Sequence, residues 1–227
     1  MDYYNLLHND KDINMVLSNI NDNFNSFYKN TFPWCHGKYH AMFVVDTIEY
    51  VLKSLSYDTR TIELGKVAAL LHDIGVITGR WEHAKKSAAL SYVIFDGSSH
   101  LTPDEKKILI QAIEDHSSGT NISSPVGAAL IIADKIDFSK RRILPIDITS
   151  DSVKNCQEIE DVEILISGNE IIINAVTTDA FIKNIFVDDY THKYNILIKA
   201  VEFLNCSCKF QINDTEELLY TLRPISS

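Results

Sequence analysis

Residues of the right types to do chemistry together recur along the first two thirds of the chain: His40, His72, Asp73, His83, His116 and Asp134. Each falls on the apolar side of a helical pattern. His40 precedes Val44 by four residues and Val51 by eleven, and His72-Asp73 follows Ala68-Ala69-Leu70-Leu71 directly. His83 shares a face with Ser87, Leu90 and Ile94; His116 follows Ala112 by four, and Asp134 follows Leu130 by four. A lone inward histidine is accounted for by a backbone carbonyl. A whole set of inward imidazoles and carboxylates is not, because a buried carboxylate is costly without a partner and each buried imidazole must satisfy two nitrogens. Converging from successive helices, these groups can satisfy one another through one or two divalent metal ions. Imidazole and carboxylate are ligands for Fe, Mn, Ni, Co or Zn, with Mg admissible, and helix bundles house metals in this way.

The elements that must position them are legible as periodic segments. Ile13, Val16, Leu17, Ile20, Phe24, Phe27 and Tyr28 form one stripe of a long helix, and a turn is expected around Phe32-Pro33-Trp34. Ala41, Val44, Val45, Ile48, Val51, Leu52 and Leu55 mark a second helix. A third runs from Asp58-Thr59 to a stop at Gly75, and a fourth covers about 81–95. Thr102, Pro103 and Glu105 spell a capping box for a fifth, and Ser124-Pro125 starts a sixth. After Pro145 the period changes. Val162, Ile164 and Ile166 alternate, Gly168-Asn169 marks a turn, and Ile171 to Ile173 follow, which reads as a β-hairpin. Residues 178–204 read as a helix and Cys208 to Ile212 as a third strand. The expected fold is mainly α, a helical bundle over 1–145 with a small C-terminal α+β element, ββαβ, over 146–227.

Composition narrows the function. The chain has 227 residues, 45% hydrophobic and 23% charged, which suits a globular protein and excludes disorder. Lys and Arg number 21 against 31 Asp and Glu, a net charge of −10 that argues against a nucleic-acid partner. The tail is especially acidic, with ten acids against two lysines from Asp147 to Asp189, a net of −8. The longest apolar run, Val126 to Ala133, is far short of the ~20 residues that cross a bilayer, so no membrane partner is expected. MDYYNLLHND is not a signal peptide. Cys35, Cys156, Cys206 and Cys208 fit no zinc spacing and read as free thiols, which suggests a cytoplasmic protein. P-loop, GxGxxG, GxSxG and HExxH patterns are absent.

The motifs KYHAMFVV around His40, AALLHDIG around His72-Asp73 and IIADKID around Asp134 resemble the HD superfamily of metal-dependent phosphohydrolases in order and placement. The resemblance covers about 36–142. Within that superfamily, HxxxSA from His83, HSSG from His116 and ADKIDFSKRR look most like the bacterial HD enzymes that split diadenosine tetraphosphate symmetrically. The GYP motif of cyclic-di-GMP phosphodiesterases is absent. The resemblance implies that His40, His72, Asp73 and Asp134 bind one metal, that His83 and His116 bind a second, and that Asp73 bridges, with Asp73 and His72 at the catalytic centre. It implies hydrolysis of a small phosphorylated substrate, such as a nucleotide or a dinucleoside polyphosphate, by metal-activated hydroxide. Two other readings share the same motifs: a metal-binding sensor or scaffold without catalysis, and a dinuclear-iron oxygenase. A homo-oligomer is compatible with all three.

A polyphosphate approaching so acidic a chain needs local positive charge. Lys135, Arg141 and Arg142, in a run that also holds Lys140, and Lys86 near His83 are the candidate substrate-binding residues; a solvated helix end is the alternative for the run. Arg80 and Lys85 also flank His83. His36, four before His40, is a candidate additional ligand or donor, whereas Trp34 and Trp81 read as packing residues and His8, His100 and His192 as surface.

Overall fold

The structure, a computed structural model, describes residues 2–28, 34–144 and 150–215, with side chains for all but 21–28. The turn at Phe32-Pro33, the change of pattern at Pro145 and the side chains of Phe24, Phe27 and Tyr28 lie outside the described residues. The helices in order are α1 (Tyr3–His8), α2 (Lys11–Tyr28), α3 (Lys38–Ser54), α4 (Thr59–Leu71), α5 (His83–Phe95), α6 (Pro103–Asp115) and α7 (Pro125–Lys135). The tail adds α8 (Asp151–Gln157), β1 (Ile159–Ser167), β2 (Glu170–Thr177), α9 (Lys183–Phe203) and β3 (Ser207–Ile212). The fold is the expected one, mainly α with a small ββαβ element; the short α1 and α8 were not expected from periodicity.

Helix starts are fixed locally. Asp58 accepts from the amides of Arg60 and Thr61 at the head of α4, and the Thr102–Glu105 capping box opens α6 with Pro103 in its first turn. Ser124 accepts from Gly127 N–H to start α7. The longest apolar run of the chain forms α7, whose residues from Val126 to Asp134 are all buried. It packs against α3, α4, α6 and α9 and is the axle of the bundle. An all-round apolar helix must be enclosed on every side, and here it is. No described helix is long and apolar enough to cross a membrane.

In the tail, β1 and β2 pair antiparallel around Gly168-Asn169, where Gly168 has φ 58°, and β3 adds parallel to β2 with Phe210 opposite Ile173. The order among the described residues is β1-β2-β3, with α9 as the crossover. Buried Ile171, Ile173, Ala175 and Phe210 face a core that includes Leu197, Ala200 and Val201 of α9. Phe138, four residues after Asp134, sits among Phe186, Tyr190 and Phe210 with ring centroids 5.1, 4.9 and 5.6 Å away. The Tyr190 hydroxyl donates to the Lys135 carbonyl at 2.5 Å. Aromatic packing thus clamps the tail to the end of α7, and one apolar core runs from the bundle into the sheet.

Gly75 sets the spacing between two elements of the bundle. A Cβ there would lie 2.3 Å from Ser87 N and 2.7 Å from His83 O, so the turn after Asp73 touches the backbone of α5, and Gly75 N–H donates to Ser87 Oγ at 2.9 Å. Gly75→Ala is expected to push α5 away and to destabilise the protein by about 2–3 kcal/mol. Urea unfolding would measure this, and a shift under about 0.5 kcal/mol would show that α5 gives way freely.

Candidate metal centre

Three of the inward histidines use the same local device. His72 and His116 cap the C-termini of α4 and α6, where carbonyls lack helical partners, and each Nδ1–H donates to the carbonyl three residues back: Ala69 at 2.7 Å and Ile113 at 2.6 Å. His83 opens α5 and does the same with Arg80 O at 3.2 Å. His40, in the first turn of α3, donates Nδ1–H to Asp137 Oδ2 at 2.7 Å, and His36 donates to Trp34 O at 2.8 Å. Each of these partners can only accept, so Nδ1 carries the proton and Nε2 presents a lone pair to the interior.

Those lone pairs converge on Asp73. Its Oδ2 lies 3.3 Å from His72 Nε2 and 3.5 Å from His40 Nε2, while Oδ1 lies 3.4 Å from His83 Nε2 and 3.5 Å from His116 Nε2. His40 Nε2 stands 3.1 Å from His72 Nε2 and 3.2 Å from Asp134 Oδ1. His40, His72 and Asp134, and likewise His72, Asp73 and His116, bring ligand atoms within 4.8 Å of one another, and all are buried. Neither carboxylate oxygen of Asp73 accepts a hydrogen bond, although the residue is only 2% exposed. Buried acceptors that face only other acceptors are satisfied by a cation. The 3.1 Å between the His40 and His72 nitrogens also falls in the roughly 3–3.4 Å that two nitrogens span when they share an ion at ~2.1 Å. The residues present therefore fit a divalent metal.

The electrostatics agree. Burial would push Asp73 toward its neutral form, but the imidazoles of His72 and His36 hold its pKa well below the usual carboxylate range. Burial is likewise outweighed at Asp134, by Lys135, His40 and Arg142. Both carboxylates are anionic. Burial opposes charge on His72, yet Asp73 and Asp134 raise its pKa. Burial prevails at His83, lowered to about 4, and at His36.

A cavity of about 240 Å³ opens beside this cluster, with Asp73, His83, Asp134 and His36 on its wall. Arg80, Lys135, Arg142 and Lys193 supply its positive side. Lys135 Nζ lies 2.6 Å from Asp134 Oδ2. Buried Arg142 donates to Cys35 O and Asp137 O and places Nη2 3.1 Å from His40 Nε2. Of the candidate substrate-binding residues, the structure brings Lys135 and Arg142 to the cavity and does not bring Arg141 or Lys86. Arg141 stays off the cavity, with Nη1 2.8 Å from Asp161 of β1, its guanidinium over the Phe43 ring and Nε 3.7 Å from Asp137 Oδ1, because residues 140–142 form a 3₁₀ turn in which neighbours face different directions. Lys86 donates to Gly79 O at 3.2 Å, capping the turn after Asp73. Trp81 is 83% exposed and off the cavity, whereas Trp34 lines it and His192 sits at its exposed rim.

Sequence reasoning missed Asp137 and Lys193. Asp137 is three residues beyond Asp134 in IIADKID, and only the close approach of α3 shows that it orients His40. Lys193 lies in the acidic tail, far from any motif; burial lowers its pKa to about 8, with Arg142 and Lys135 adding to the effect, and its Nζ stands 4.8 Å from the Trp34 ring centroid.

No family model matches the sequence and no curated protein matches it. Among solved structures, a predicted HD superfamily hydrolase from an uncultured Thermotogales bacterium matches at 20% identity and TM-score 0.42, over 60% of this chain and 74% of that one.

Elemental analysis of the purified protein is expected to find about one to two equivalents of transition metal. Asp73→Ala should lose the most, since its oxygens face both imidazole pairs. Protons compete for the same nitrogens, so metal affinity should fall as pH drops through the histidine range. Metal-free protein that takes up no divalent ion would contradict the assignment.

Sulfate keeps its charge from pH 6 to 10 and is a clean probe of the positive wall. Lys193 is charged below its pKa of about 8 and neutral above it, so sulfate affinity should fall as pH rises through that value. Lys193→Arg, charged throughout, should remove this fall in calorimetric titrations; the same fall in both proteins would place the titrating group elsewhere.

Proposed function

We propose that this chain is a metal-dependent phosphohydrolase of the HD type, acting on a nucleotide or another small phosphate ester or anhydride. The observation that carries the reading is the buried Asp73 carboxylate, with one oxygen facing His40 and His72, the other facing His83 and His116, and neither accepting a hydrogen bond. His40, His72, Asp73 and Asp134 would hold one ion, and His83 and His116 a second, with Asp73 bridging. A divalent ion bound there supplies Lewis acidity and a water whose pKa falls from about 15.7 toward 7.

The chain's own groups do the rest. Asp137 and the three carbonyls hold each imidazole in one tautomer and orientation, so every Nε2 faces inward, where it would be a ligand. Lys135 and Arg142, on the wall of the cavity, would stabilise charge developing on phosphoryl oxygens bound there. Arg142 is already fixed by two carbonyls, so its planar fork is oriented before substrate arrives. Arg80 and Lys193 extend the positive wall outward to phosphates that do not react. These cations reverse, at the cleft, the sign of a protein of charge −10.

The test is hydrolysis of mononucleotides, dinucleoside polyphosphates and cyclic dinucleotides by protein loaded with Mn, Co, Ni, Fe or Mg. Arg142→Ala should lower kcat/KM about ten- to a hundredfold, the loss of one charge-assisted contact of roughly 1.5–3 kcal/mol. Arg141→Ala, which removes a group paired with Asp161 and lying 3.7 Å from Asp137 but off the cavity, should cost much less than Arg142→Ala. No turnover of any phosphate ester by fully loaded protein would return the centre to a sensor or scaffold, and oxygen uptake by the iron form would mark an oxygenase.

A further inference from the structure

We propose that the C-terminal element builds a second pocket, contiguous with the metal-centre cavity, that holds the nucleobase of the substrate. This rests on the reading above that a phosphate group is the reacting end. A separate cavity of about 200 Å³ shares Trp34, Arg80 and Lys193 with the first, so these three residues form the partition between them. Beyond the partition the wall changes character: Phe138, Phe186 and Tyr190 replace the cations and imidazoles. The Phe186 and Tyr190 rings stack at 4.9 Å and 16°, and Phe138 meets Tyr190 edge-on at 4.9 Å, so the aromatic wall is rigid. Tyr190 has committed its hydroxyl to Lys135 O, which fixes its ring in the wall of the cavity.

The order of chemistries along the two cavities specifies the ligand. Metal-ligand side chains come first, then a junction flanked by the guanidinium of Arg80 and the ammonium of Lys193, then an aromatic chamber. A molecule matching that order has a reacting phosphate, further negative charge at the junction, and a flat, uncharged organic group at its far end. An inorganic polyphosphate would leave the chamber without a partner. An alkyl chain would make no use of two polar groups in its lining, the Asp189 carboxylate and the Ser152 hydroxyl. A heteroaromatic base with ring nitrogens and exocyclic groups presents donors to Asp189 and a donor or acceptor to Ser152, while its flat body lies against the apolar wall. Ser152, Asp189, Phe186 and Tyr190 all lie in the tail, outside the motifs that carry the metal ligands. The tail would therefore be the part of the chain that selects the substrate.

The experiment is calorimetric titration of metal-loaded protein with two kinds of non-cleavable probe. One is methylenediphosphonate. The other is the set of nucleoside 5′-(α,β-methylene)diphosphates bearing adenine, guanine, cytosine or uracil. At least one nucleoside analogue should bind ten times or more tighter than methylenediphosphonate. Ser152→Phe, which fills the chamber, should erase that preference and leave methylenediphosphonate affinity unchanged. Asp189→Asn, at an exposed position that tolerates change, should weaken the preferred analogue severalfold with no effect on methylenediphosphonate. The pocket is overturned if no analogue outbinds methylenediphosphonate, or if both variants keep the wild-type preference. A base preference sensitive to Ser152, in a protein that hydrolyses no phosphate ester, supports the pocket and sinks only the hydrolase reading. Hydrolysis without base preference does the reverse.

Discussion

Everything at the functional end of this protein depends on where imidazole protons are kept. His40, His72, His83 and His116 each give their Nδ1–H to an outward acceptor, so all turn Nε2 toward the two oxygens of one buried aspartate, and only His40 Nε2 also meets a donor, Arg142 Nη2 at 3.1 Å. Lone pairs at 3.1–3.5 Å from one another repel unless positive charge lies among them. The fold does not relieve this by turning a ring or exposing Asp73 to water. It holds the arrangement through helix-end carbonyls and Asp137, and leaves a demand for a cation at the centre.

The surrounding architecture answers that demand in layers. α7, enclosed on all sides, delivers Asp134 to the centre and then stops, and the chain beyond it turns tightly through Lys140–Arg142. That turn divides a basic run into two fates. Arg142 faces inward, to His40, Asp134 and the carbonyls of Cys35 and Asp137. Lys140 and Arg141 face outward and meet Glu160 and Asp161 of β1. Part of the tail's acidity is thus the complement of cations that face away from the centre, while Lys135 and Arg142 on the cavity wall pair with Asp134.

The tail is bound to the site more closely than its separate period implies. Phe138 ties it to the end of α7, and α9 carries Lys193 to the wall of the cavity that Asp73, His83 and Asp134 also line. Lys193, half-buried beside Trp34 and near two other cations, is held with its pKa lowered to about 8, so its charge is conditional where that of Arg142 is not. The bundle carries the inward histidines and aspartates, and the tail completes the wall of the cavity beside them.

Much of this was written in the sequence. The 3.6-residue period placed His40, Asp134 and the histidines at helix ends on inward faces; Thr102-Pro103 and Ser124-Pro125 marked helix starts; the hairpin at Gly168-Asn169 followed from alternation and turn chemistry. Those signals are local, and local geometry reproduces them. The ligand types, too, are a property of composition on a face. What the sequence could not decide depends on distances between segments far apart in the chain. Asp137 serves His40 across 97 residues, and Lys193 reaches the cavity only because α9 packs on α7. Arg141 and Arg142 are indistinguishable neighbours until a 3₁₀ turn sends one to a carboxylate outside and one to the centre. A linear pattern gives the side of a helix on which a residue stands; only the packing of helix on helix decides what stands opposite it.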